Sequence, residues 1–309
     1  MIKFFLHRML YRHLLALVVA GALFAATFTA AGPLHIATWN VEHLNEDNNA
    51  GCIPRNDDDY AYIAQRIREL NAEVVAIQEV ESAEAAYRVF PEDQWTVIMS
   101  DRPNNRGAKG GNICWGTQDK RLRHQATGFA IRKGVAFTRL DAYSHLAGGD
   151  ANQRWGADLK VHHDGKDIRV LSVHLASGCW GPEQDQTPNR ANICITLRGQ
   201  IERMVEWIQA RNSANEHFVI LGDFNRRLAL PNDWAAERLL DQRLETTLVT
   251  ADLRDGKPQE AWCDERYPDL IDHIIISNPL SESVLKSKTK EYERGRESPD
   301  HCIIATMIE

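Results

Sequence analysis

Two short polar side chains follow an apolar run at residues 218–221. Asp223 and Asn225 stand on either side of Phe224 there, and the apolar residues predict a buried strand that ends near Asp223. Because side chains alternate along extended backbone, Asp223 and Asn225 are predicted to share one side of the strand. A carboxylate beside a carboxamide can orient a water molecule and hold a phosphate oxygen or a hard cation. The alternative interpretation is an Asx turn that only ends the strand.

Five further apolar runs carry a polar residue at one boundary or at a buried position. These residues are Asn40, Glu79, His174, Asp272 and the adjacent pair Asp300 and His301. Taken singly, each has an ordinary explanation, such as a turn for Asn40, a helix-start acid for Glu79 and a structural histidine for His174. Taken together, they predict one site, because rigid scaffolds assemble convergent polar groups from strand ends.

A helix and a hairpin are predicted among the elements that position these groups. Asp57 or Asp58 is predicted to cap a helix with an apolar face of period three to four. That face consists of Tyr60, Ile63, Ile67 and Leu70. The dipeptide Asp164-Gly165 predicts a tight turn, so the apolar runs on either side of it are predicted to pair as antiparallel strands.

The first 32 residues differ in composition from the rest of the chain. Three basic residues precede an apolar run at 14–28, and small residues follow it, which is typical of a secretory signal peptide cut near Ala31. If it is not cut, the segment 14–32 is nearly long enough for an N-terminal membrane anchor. Residues 33–309 are predicted to form one domain that is secreted or periplasmic. That domain has no second apolar run of membrane-spanning length, so no stable membrane association is predicted after cleavage.

The charge of the chain bears on its binding partners. The net charge is −7 and becomes −10 without the three basic residues of the leader, and an acidic surface repels polyanions unless cations are concentrated locally. The loop at 102–123 is such a concentration, and it also contains Trp115. Arg121 and Arg123 are therefore weak candidates for contacts to a phosphate backbone, and Trp115 could stack a base. An ordinary solvated loop is the alternative.

Six cysteines in an exported chain predict three disulfides, for which fifteen pairings exist. They are Cys52, Cys114, Cys179, Cys194, Cys263 and Cys302. Cys52 and Cys114 fall in two long irregular loops, so we predict that they pair with each other. Cys179 and Cys194 flank the loop after His174 and form the second predicted pair, which leaves Cys263 with Cys302. The chain has no Cys-x-x-Cys motif, which argues against a structural zinc site.

The full set of polar motifs resembles the endonuclease/exonuclease/phosphatase superfamily. The motifs are Thr38-Trp39-Asn40, Gln78-Glu79, His174-Leu175, Gly222-Asp223-Phe224-Asn225, Ile271-Asp272-His273-Ile274 and Pro299-Asp300-His301. The resemblance spans residues 34–309 in the order of the family. It implies an α/β fold, a four-layered sandwich in which two mixed, mostly antiparallel sheets pack face to face with helices outside. It also implies metal-dependent hydrolysis of a phosphoester.

The resemblance assigns a metal site. Glu79 is implied as the principal ligand, and Asn40 and Asp300 complete an oxygen shell of the kind that Mg²⁺ prefers, with Mn²⁺ or Ca²⁺ as alternatives. Arg154 matches a position at which relatives often place a phosphate-binding arginine.

The resemblance also assigns catalytic roles. Asp223 is implied to orient or deprotonate the attacking water, and Asn225 to hold a phosphate oxygen. His174 is implied to bind the phosphate on the leaving-group side. His301 is implied to stabilise charge on the phosphoryl oxygens, with Asp272 fixing its tautomer. Which of Asp223, His174 and His301 transfers the proton stays open.

Two departures from pancreatic-type deoxyribonucleases limit the prediction of the substrate. Glu81 occupies the position of their minor-groove arginine, and Ala126 or Thr127 stands where they have an active-site tyrosine. The sequence thus predicts an extracytoplasmic, metal-dependent phosphodiesterase, with nucleic acid as the favoured substrate. The alternatives are a phosphatase or phosphodiesterase acting on a small or lipid phosphoester, similar to sphingomyelinases or inositol phosphatases, and a non-catalytic binding module of the same fold. The sequence points to no particular protein partner.

Overall fold

The apolar runs of the sequence form the strands of two sheets. The computed structural model describes residues 32–104, 111–181, 190–252, 270–285, 289–292 and 299–309. The strands are β1 (Leu34–Leu44), β2 (Val74–Val80), β3 (Trp95–Met99), β4 (Ala126–Arg132), β5 (Ala136–Arg139), β6 (Ala157–His163), β7 (Lys166–His174), β8 (His217–Asp223), β9 (Thr246–Leu248), β10 (Asp272–Ser277), β11 (Lys290–Tyr292) and β12 (Ile303–Ile308). The α-helices are α1 (Asp57–Leu70), α2 (Ala83–Tyr87), α3 (Ala191–Ser213), α4 (Trp234–Leu239) and α5 (Asn278–Ser281).

Within the described ranges, each sheet contains six strands. The first sheet has the order β11-β12-β1-β2-β4-β3, and the second has the order β5-β6-β7-β8-β10-β9. One neighbouring pair in each sheet is parallel, β1 with β2 and β7 with β8. The other neighbours are antiparallel. Both sheets are therefore mixed and mostly antiparallel, as predicted.

Three layers of buried apolar side chains hold the elements together. Between the sheets, Ile36 and Phe129 of the first sheet belong to the same cluster as Leu159 and Val219 of the second. A second layer buries residues of α1 and α2 against the outer face of the first sheet. A third layer buries residues of α3 and α4 against the second sheet. Since each apolar face must be covered, the result is the predicted sandwich of helix, sheet, sheet and helix.

One predicted turn is confirmed, and the predicted helix cap is wrong by one or two residues. Asp164 and Gly165 both have positive φ, and His163 pairs with Lys166 around them, as a tight hairpin requires. The cap of α1 is Asn56, whose side chain accepts hydrogen bonds from the backbone of Asp58 and Asp59. Asp59 in turn accepts from the backbone of Asn56 at 2.7 Å. This reciprocal capping box satisfies more backbone donors than a cap at Asp57 or Asp58 could.

Two of the predicted disulfides are confirmed. Cys52 pairs with Cys114 at a Cα–Cα distance of 5.3 Å, and Cys179 pairs with Cys194 at 5.2 Å. Cys302 is also disulfide-bonded, whereas Cys263, its predicted partner, lies outside the described residues.

The predicted leader lies outside the described residues except for Gly32. Its role as a signal peptide or anchor therefore stays a prediction. Among the described helices, none combines the length and the apolar character needed to cross a bilayer.

Candidate active site

The topology brings the ends of the two parallel strand pairs to one edge of the sandwich. In the second sheet, His174 at the end of β7 pairs in register with Asp223 at the end of β8. Asp223 also pairs in register with Asp272, the first residue of β10. In the first sheet, Asn40 of β1 lies in register beside Gln78, the residue before Glu79. His174, Asp223 and Asp272 of the second sheet thus lie at the same edge as Asn40 and Glu79 of the first sheet.

Asn40 links the two halves of the site. Its side-chain nitrogen donates to Oδ2 of Asp223 at 3.0 Å and to Oε1 of Glu79 at 3.3 Å. Its side-chain oxygen accepts from the backbone nitrogen of Glu42 at 3.0 Å. One fully buried amide therefore holds the predicted metal ligand and the predicted base at a fixed separation.

Asp223 and Asn225 form an Asx turn and also belong to the site. The backbone nitrogen of Asn225 donates to Oδ1 of Asp223 at 2.8 Å, and its side-chain nitrogen donates to Oδ2 at 3.1 Å. Asn225 has a φ of 50°, so the extended alternation predicted for this segment stops at Asp223. The left-handed turn, rather than a shared strand face, brings the two side chains together. His174 lies on the other side, with Nε2 3.3 Å from Oδ2 of Asp223.

His301 and Asp272 form a close pair. Nδ1 of His301 lies 2.6 Å from Oδ2 of Asp272, while Nε2 faces Asp223 and Asp300 at 3.8 Å each. Burial lowers the pKa of His301, but the carboxylates of Asp272 and Asp223 outweigh burial and raise that pKa well above its ordinary value. The geometry therefore favours a cationic imidazolium whose orientation is fixed by Asp272.

The two central carboxylates have opposite electrostatic environments. Burial raises the pKa of Glu79, but His43, His174 and Arg154, with a further contribution from His301, outweigh burial and lower it to about 2. Burial raises the pKa of Asp223 to about 7, against the attraction of His301. Glu79 is thus ionised throughout the physiological range, whereas Asp223 can take up a proton near neutral pH. Two acids with such different pKa values suit two different roles.

Arg154 lies beside these carboxylates, whereas Arg121 and Arg123 lie in the basic loop predicted at 102–123. Arg154 donates to Oε1 of Gln125 at 3.3 Å and interacts electrostatically with Glu79 and Asp223. Arg123 donates to Oε1 of Glu81 at 2.6 Å, two residues beyond Glu79. Arg121 is exposed and donates to the carbonyl of Gly111 at 3.3 Å. Of the basic loop predicted at 102–123, residues 105–110 lie outside the described residues.

Sequence reasoning missed Glu42 and His43. Both have left-handed backbone, with φ of 44° and 56°, as does Glu79 with 61°. The backbone nitrogen of His43 donates to Oε2 of Glu79 at 3.2 Å, and its Nε2 lies 3.4 Å from the same oxygen. Oε2 of Glu42 accepts from the backbone of Asp300 at 3.2 Å. Strained non-glycine residues of this kind cluster at functional sites.

The signal that could have revealed them is the spacing of apolar residues at the end of β1. Val41 and Leu44 are both fully buried but three residues apart, where a regular strand would bury alternate residues. The pairing of β1 with β2 shifts register between Asn40 and Leu44. The irregularity turns Glu42 and His43 toward the site, as bulges beside active sites commonly do.

The donor set around Glu79 fits a hard divalent cation. Glu79 and Asp300 supply carboxylate oxygen atoms, and the carboxylate of Glu79 keeps its charge. The amide of Asn40 turns its nitrogen toward Glu79, so Asn40 would supply its oxygen only after that amide rotates. Burial lowers the pKa of His43 and His174, which reduces the repulsion between these histidines and a bound cation.

A second set of possible metal ligands consists of Asp223, Asp272 and His301, whose ligand atoms lie within 4.8 Å of one another. We favour the Glu79 set, because Nδ1 of His301 is already paired with Asp272 and Mg²⁺ prefers oxygen ligands to an imidazole nitrogen.

A four-layered sandwich with acids, amides and histidines at one sheet edge defines a class of phosphoester hydrolases. The chain belongs to the Endonuclease/Exonuclease/phosphatase family, whose model matches residues 37–287. The family predicted from the motifs is therefore confirmed. No match was found among curated protein sequences.

Solved structures with the same fold include several nucleic-acid enzymes. Truncated TDP2 from Caenorhabditis elegans matches with a TM-score of 0.63 and 15% identity, over 91% of this chain and 99% of that one. D. rerio TDP2 in complex with a single-strand DNA product matches with a TM-score of 0.59 and 14% identity, over 90% of this chain and 100% of that one. An AP endonuclease from Archaeoglobus fulgidus matches with a TM-score of 0.56 and 14% identity, over 89% of this chain and 99% of that one. At these identities the likeness shows a shared fold.

Proposed function

We propose that the protein is a metal-dependent phosphodiesterase that acts on nucleic acid outside the cytoplasm. The observation that carries the proposal is the contact of Asn40 with both Glu79 and Asp223, which places a permanently ionised acid beside an acid with a pKa of about 7. The preference for nucleic acid is supported by the TDP2 complex with single-strand DNA and by the AP endonuclease. The disulfides and the predicted leader support an oxidising compartment.

In this proposal the residues divide the chemistry between them. Glu79, Asn40 and Asp300 would hold Mg²⁺, which supplies Lewis-acid polarisation of a phosphoryl oxygen. Asp223 accepts a proton from the attacking water, since its pKa of about 7 is matched to that transfer. His301, kept cationic by Asp272, stabilises the negative charge that accumulates on the phosphoryl group. His174 and Arg154 orient the phosphate.

One observation favours the alternative of a small or lipid phosphoester. Arg123, a predicted contact to nucleic acid, is paired with Glu81 and with Asp47, so its charge is already largely compensated. The net charge of −7 also disfavours long polyanions at low salt. The non-catalytic module is disfavoured, because every predicted catalytic side chain is present and the described ones converge.

The test is an activity screen with the purified protein. DNA, RNA, sphingomyelin and inositol phosphates are offered at equal concentration with Mg²⁺, Mn²⁺, Ca²⁺ or excess EDTA. We expect cleavage of at least one nucleic acid with a metal and none with EDTA. Turnover of only the lipid or only the inositol phosphates would replace the nuclease proposal with the alternative. Equal activity in EDTA would contradict metal dependence.

A further inference from the structure

A small hairpin at residues 111–122 stands beside the catalytic cluster. Cys114 donates its backbone nitrogen to Lys120 at 2.8 Å, and Leu122 donates to Asn112 at 2.9 Å. Ile113 and Arg121 face each other across the hairpin as an isolated antiparallel bridge. The tip therefore begins at Trp115, directly after the last paired residue on its side.

The hairpin is fixed at its tip as well as at its base. Cys114 is joined by a disulfide to Cys52 in the segment that links β1 to α1. The ammonium group of Lys120 donates to the carbonyl of Asn49 in the same segment. Within the tip, the hydroxyl of Thr117 donates to the carbonyl of Cys114 at 2.9 Å. Trp115 is thus presented by a backbone that is cross-linked at the preceding residue.

Trp115 is fully exposed in spite of its size. Its relative exposure is 101%, and that of Ile113 is 51%. Among the described residues, Ile195 is the remaining large apolar side chain with comparable exposure. An isolated exposed apolar residue needs no explanation, but here an indole is held on a rigid tip, and the exposed Arg121 lies on the opposite strand of the same hairpin.

The base of the hairpin contacts the rim of the site. Arg123 pairs with Glu81, and Gln125 lies 3.5 Å from Nε2 of His43 and accepts from Arg154 at 3.3 Å. Cys114 lies opposite Lys120 in the hairpin, and Lys120 is three residues before Arg123 in the chain. At about 3.3 Å per extended residue, Trp115 therefore lies roughly 10–15 Å from this rim. That distance corresponds to a few nucleotides of a strand leaving the site.

We propose that Trp115 is a stacking platform for an unpaired base of a single-stranded polynucleotide, a few nucleotides from the scissile phosphate. The inference rests on the proposed nuclease function and names the form of its substrate. An aromatic ring needs the open face of a base, which a single strand offers and a duplex hides in its own stack. Arg121, on the opposite strand of the same hairpin, would complement the phosphates of the bound polynucleotide. A flexible tip would lose entropy on binding, whereas this tip is already ordered by its disulfide.

The test compares Trp115→Ala, Trp115→Phe and Trp115→Leu with Ile195→Ala as a matched surface control. KM and kcat are measured on a single-stranded oligonucleotide, on the matching duplex and on bis(p-nitrophenyl) phosphate, which is too small to reach the hairpin. For the single strand, we expect KM to rise about 5- to 30-fold in Trp115→Ala and in Trp115→Leu. Trp115→Phe should stay close to wild type, because it keeps a stacking face. Turnover of the small substrate should not change in any variant.

The outcomes separate this inference from the function on which it rests. If the wild-type protein hydrolyses the small substrate but no polynucleotide, both the nuclease function and the stacking platform are wrong. If Trp115→Ala cleaves single strands with the same KM as the wild type, the stacking platform is wrong but the nuclease function stands. Recovery of KM by Trp115→Leu to the level of Trp115→Phe would also remove it, since any apolar contact would then suffice. Binding of the wild type to phosphatidylglycerol vesicles that is lost in Trp115→Ala, with unchanged KM for DNA, would show a membrane contact instead.

Discussion

At the scale of single residues, the site depends on keeping two neighbouring acids in different states. Asn40 donates to both Glu79 and Asp223, and a neutral amide can do so without adding charge. The difference in pKa comes from the surroundings of each acid. Desolvation is the largest effect on both, but several basic neighbours outweigh it at Glu79, whereas it outweighs the attraction of His301 at Asp223. The two acids should therefore respond differently to the same isosteric substitution.

The first prediction compares Glu79→Gln with Asp223→Asn. Glu79→Gln should lose activity that excess Mg²⁺ or Mn²⁺ partly restores, because only the charge that holds the cation is missing. Asp223→Asn should lose a factor of about 10² or more in kcat, without rescue, because a positioned proton acceptor is gone. Both are measured as metal titrations of kcat on bis(p-nitrophenyl) phosphate. Full activity of Asp223→Asn would remove its assignment as the proton acceptor.

The second prediction concerns the pH dependence set by His301. Asp272 and Asp223 raise the pKa of His301 well above 6.5, so the cation persists on the alkaline side of neutrality. Asp272→Asn removes one of these charges, and the alkaline limb of the kcat/KM profile should move to lower pH. The His301–Asp272 pair should also contribute stability that is present below the ordinary histidine pKa and is lost as the pH rises through the raised pKa.

A matched control exists at the surface. His162 and Asp167 form a pair with the same 2.6 Å separation, away from the site and exposed. Asp167→Asn should leave the pH profile of activity unchanged. If Asp272→Asn left the alkaline limb in place while NMR showed an unchanged titration of His301, the proposed coupling would be wrong.

At the scale of elements, disulfides and caps fix the loops that surround the site. The disulfide Cys179–Cys194 closes a loop of 15 residues between β7 and α3. The carbonyl and sulfur of Cys179 also accept from Arg226, which forms a fully buried salt bridge with Asp233. The loop after β7, the turn after β8 and the start of α4 are thus held by one buried cluster.

The third prediction is that Cys179→Ser combined with Cys194→Ser lowers the free energy of unfolding by about 3 kcal/mol, the chain-entropy value for a loop of this length. Denaturant unfolding of the oxidised wild type and the double variant measures the difference. Non-reducing peptide mapping should show the two cysteines of the wild type in one cross-linked peptide, and free thiols at both positions would refute the pairing.

The fourth prediction tests the corrected helix cap. Asn56→Ala should cost about 1 kcal/mol of stability, since two backbone donors lose their acceptor. Asp58→Ala is the control, because the side chain of Asp58 is not the cap and its loss should cost only a few tenths of a kcal/mol. Equal losses in the two variants would show that general helix electrostatics, and not the capping box, stabilise this end of α1.

The sequence predicted what depends on local patterns. The strand ends that carry Asn40, Glu79 and His174 were visible because apolar runs stop there, and the hairpin turn was visible in Asp164-Gly165. The roles of Glu42 and His43 were missed, because left-handed backbone at non-glycine residues is imposed by tertiary contacts and its local trace is limited to the three-residue spacing of Val41 and Leu44. The pairing of Arg123 with Glu81 was also missed, since it joins residues 42 positions apart that no local pattern relates.

At the scale of the whole molecule, the proposed function requires an acidic protein to bring a polyanion to one edge of its sandwich. The net charge of −7 acts against this approach at long range. Arg154 lies close to the carboxylates of the site, and Arg123 is compensated by Glu81. Arg121 is therefore the described residue of the predicted basic loop that we expect to contribute most to the salt dependence of substrate binding.

The fifth prediction is that Arg121→Ala flattens the dependence of log KM on log salt by about one unit for a polynucleotide. Its kcat should change little, because a distant phosphate contact binds ground state and transition state alike. Arg139→Ala, which removes an exposed guanidinium paired with Asp101, is the control. Identical salt slopes for wild type and Arg121→Ala would show that this part of the hairpin is solvated surface.

The antiparallel pairing of β1 with β12 also sets when the site can be completed during synthesis. β1 is translated early and β12 late, yet they are neighbours in the first sheet, and the indole of Trp39 donates to the carbonyl of His301 across 262 positions. A ribosome reaches His301 only after every other residue of the catalytic cluster. A nascent chain that still lacks residues 299–308 has no imidazolium and no partner for that edge of β1. We therefore expect the proposed active site to be completed in a late step, when β12 pairs with β1.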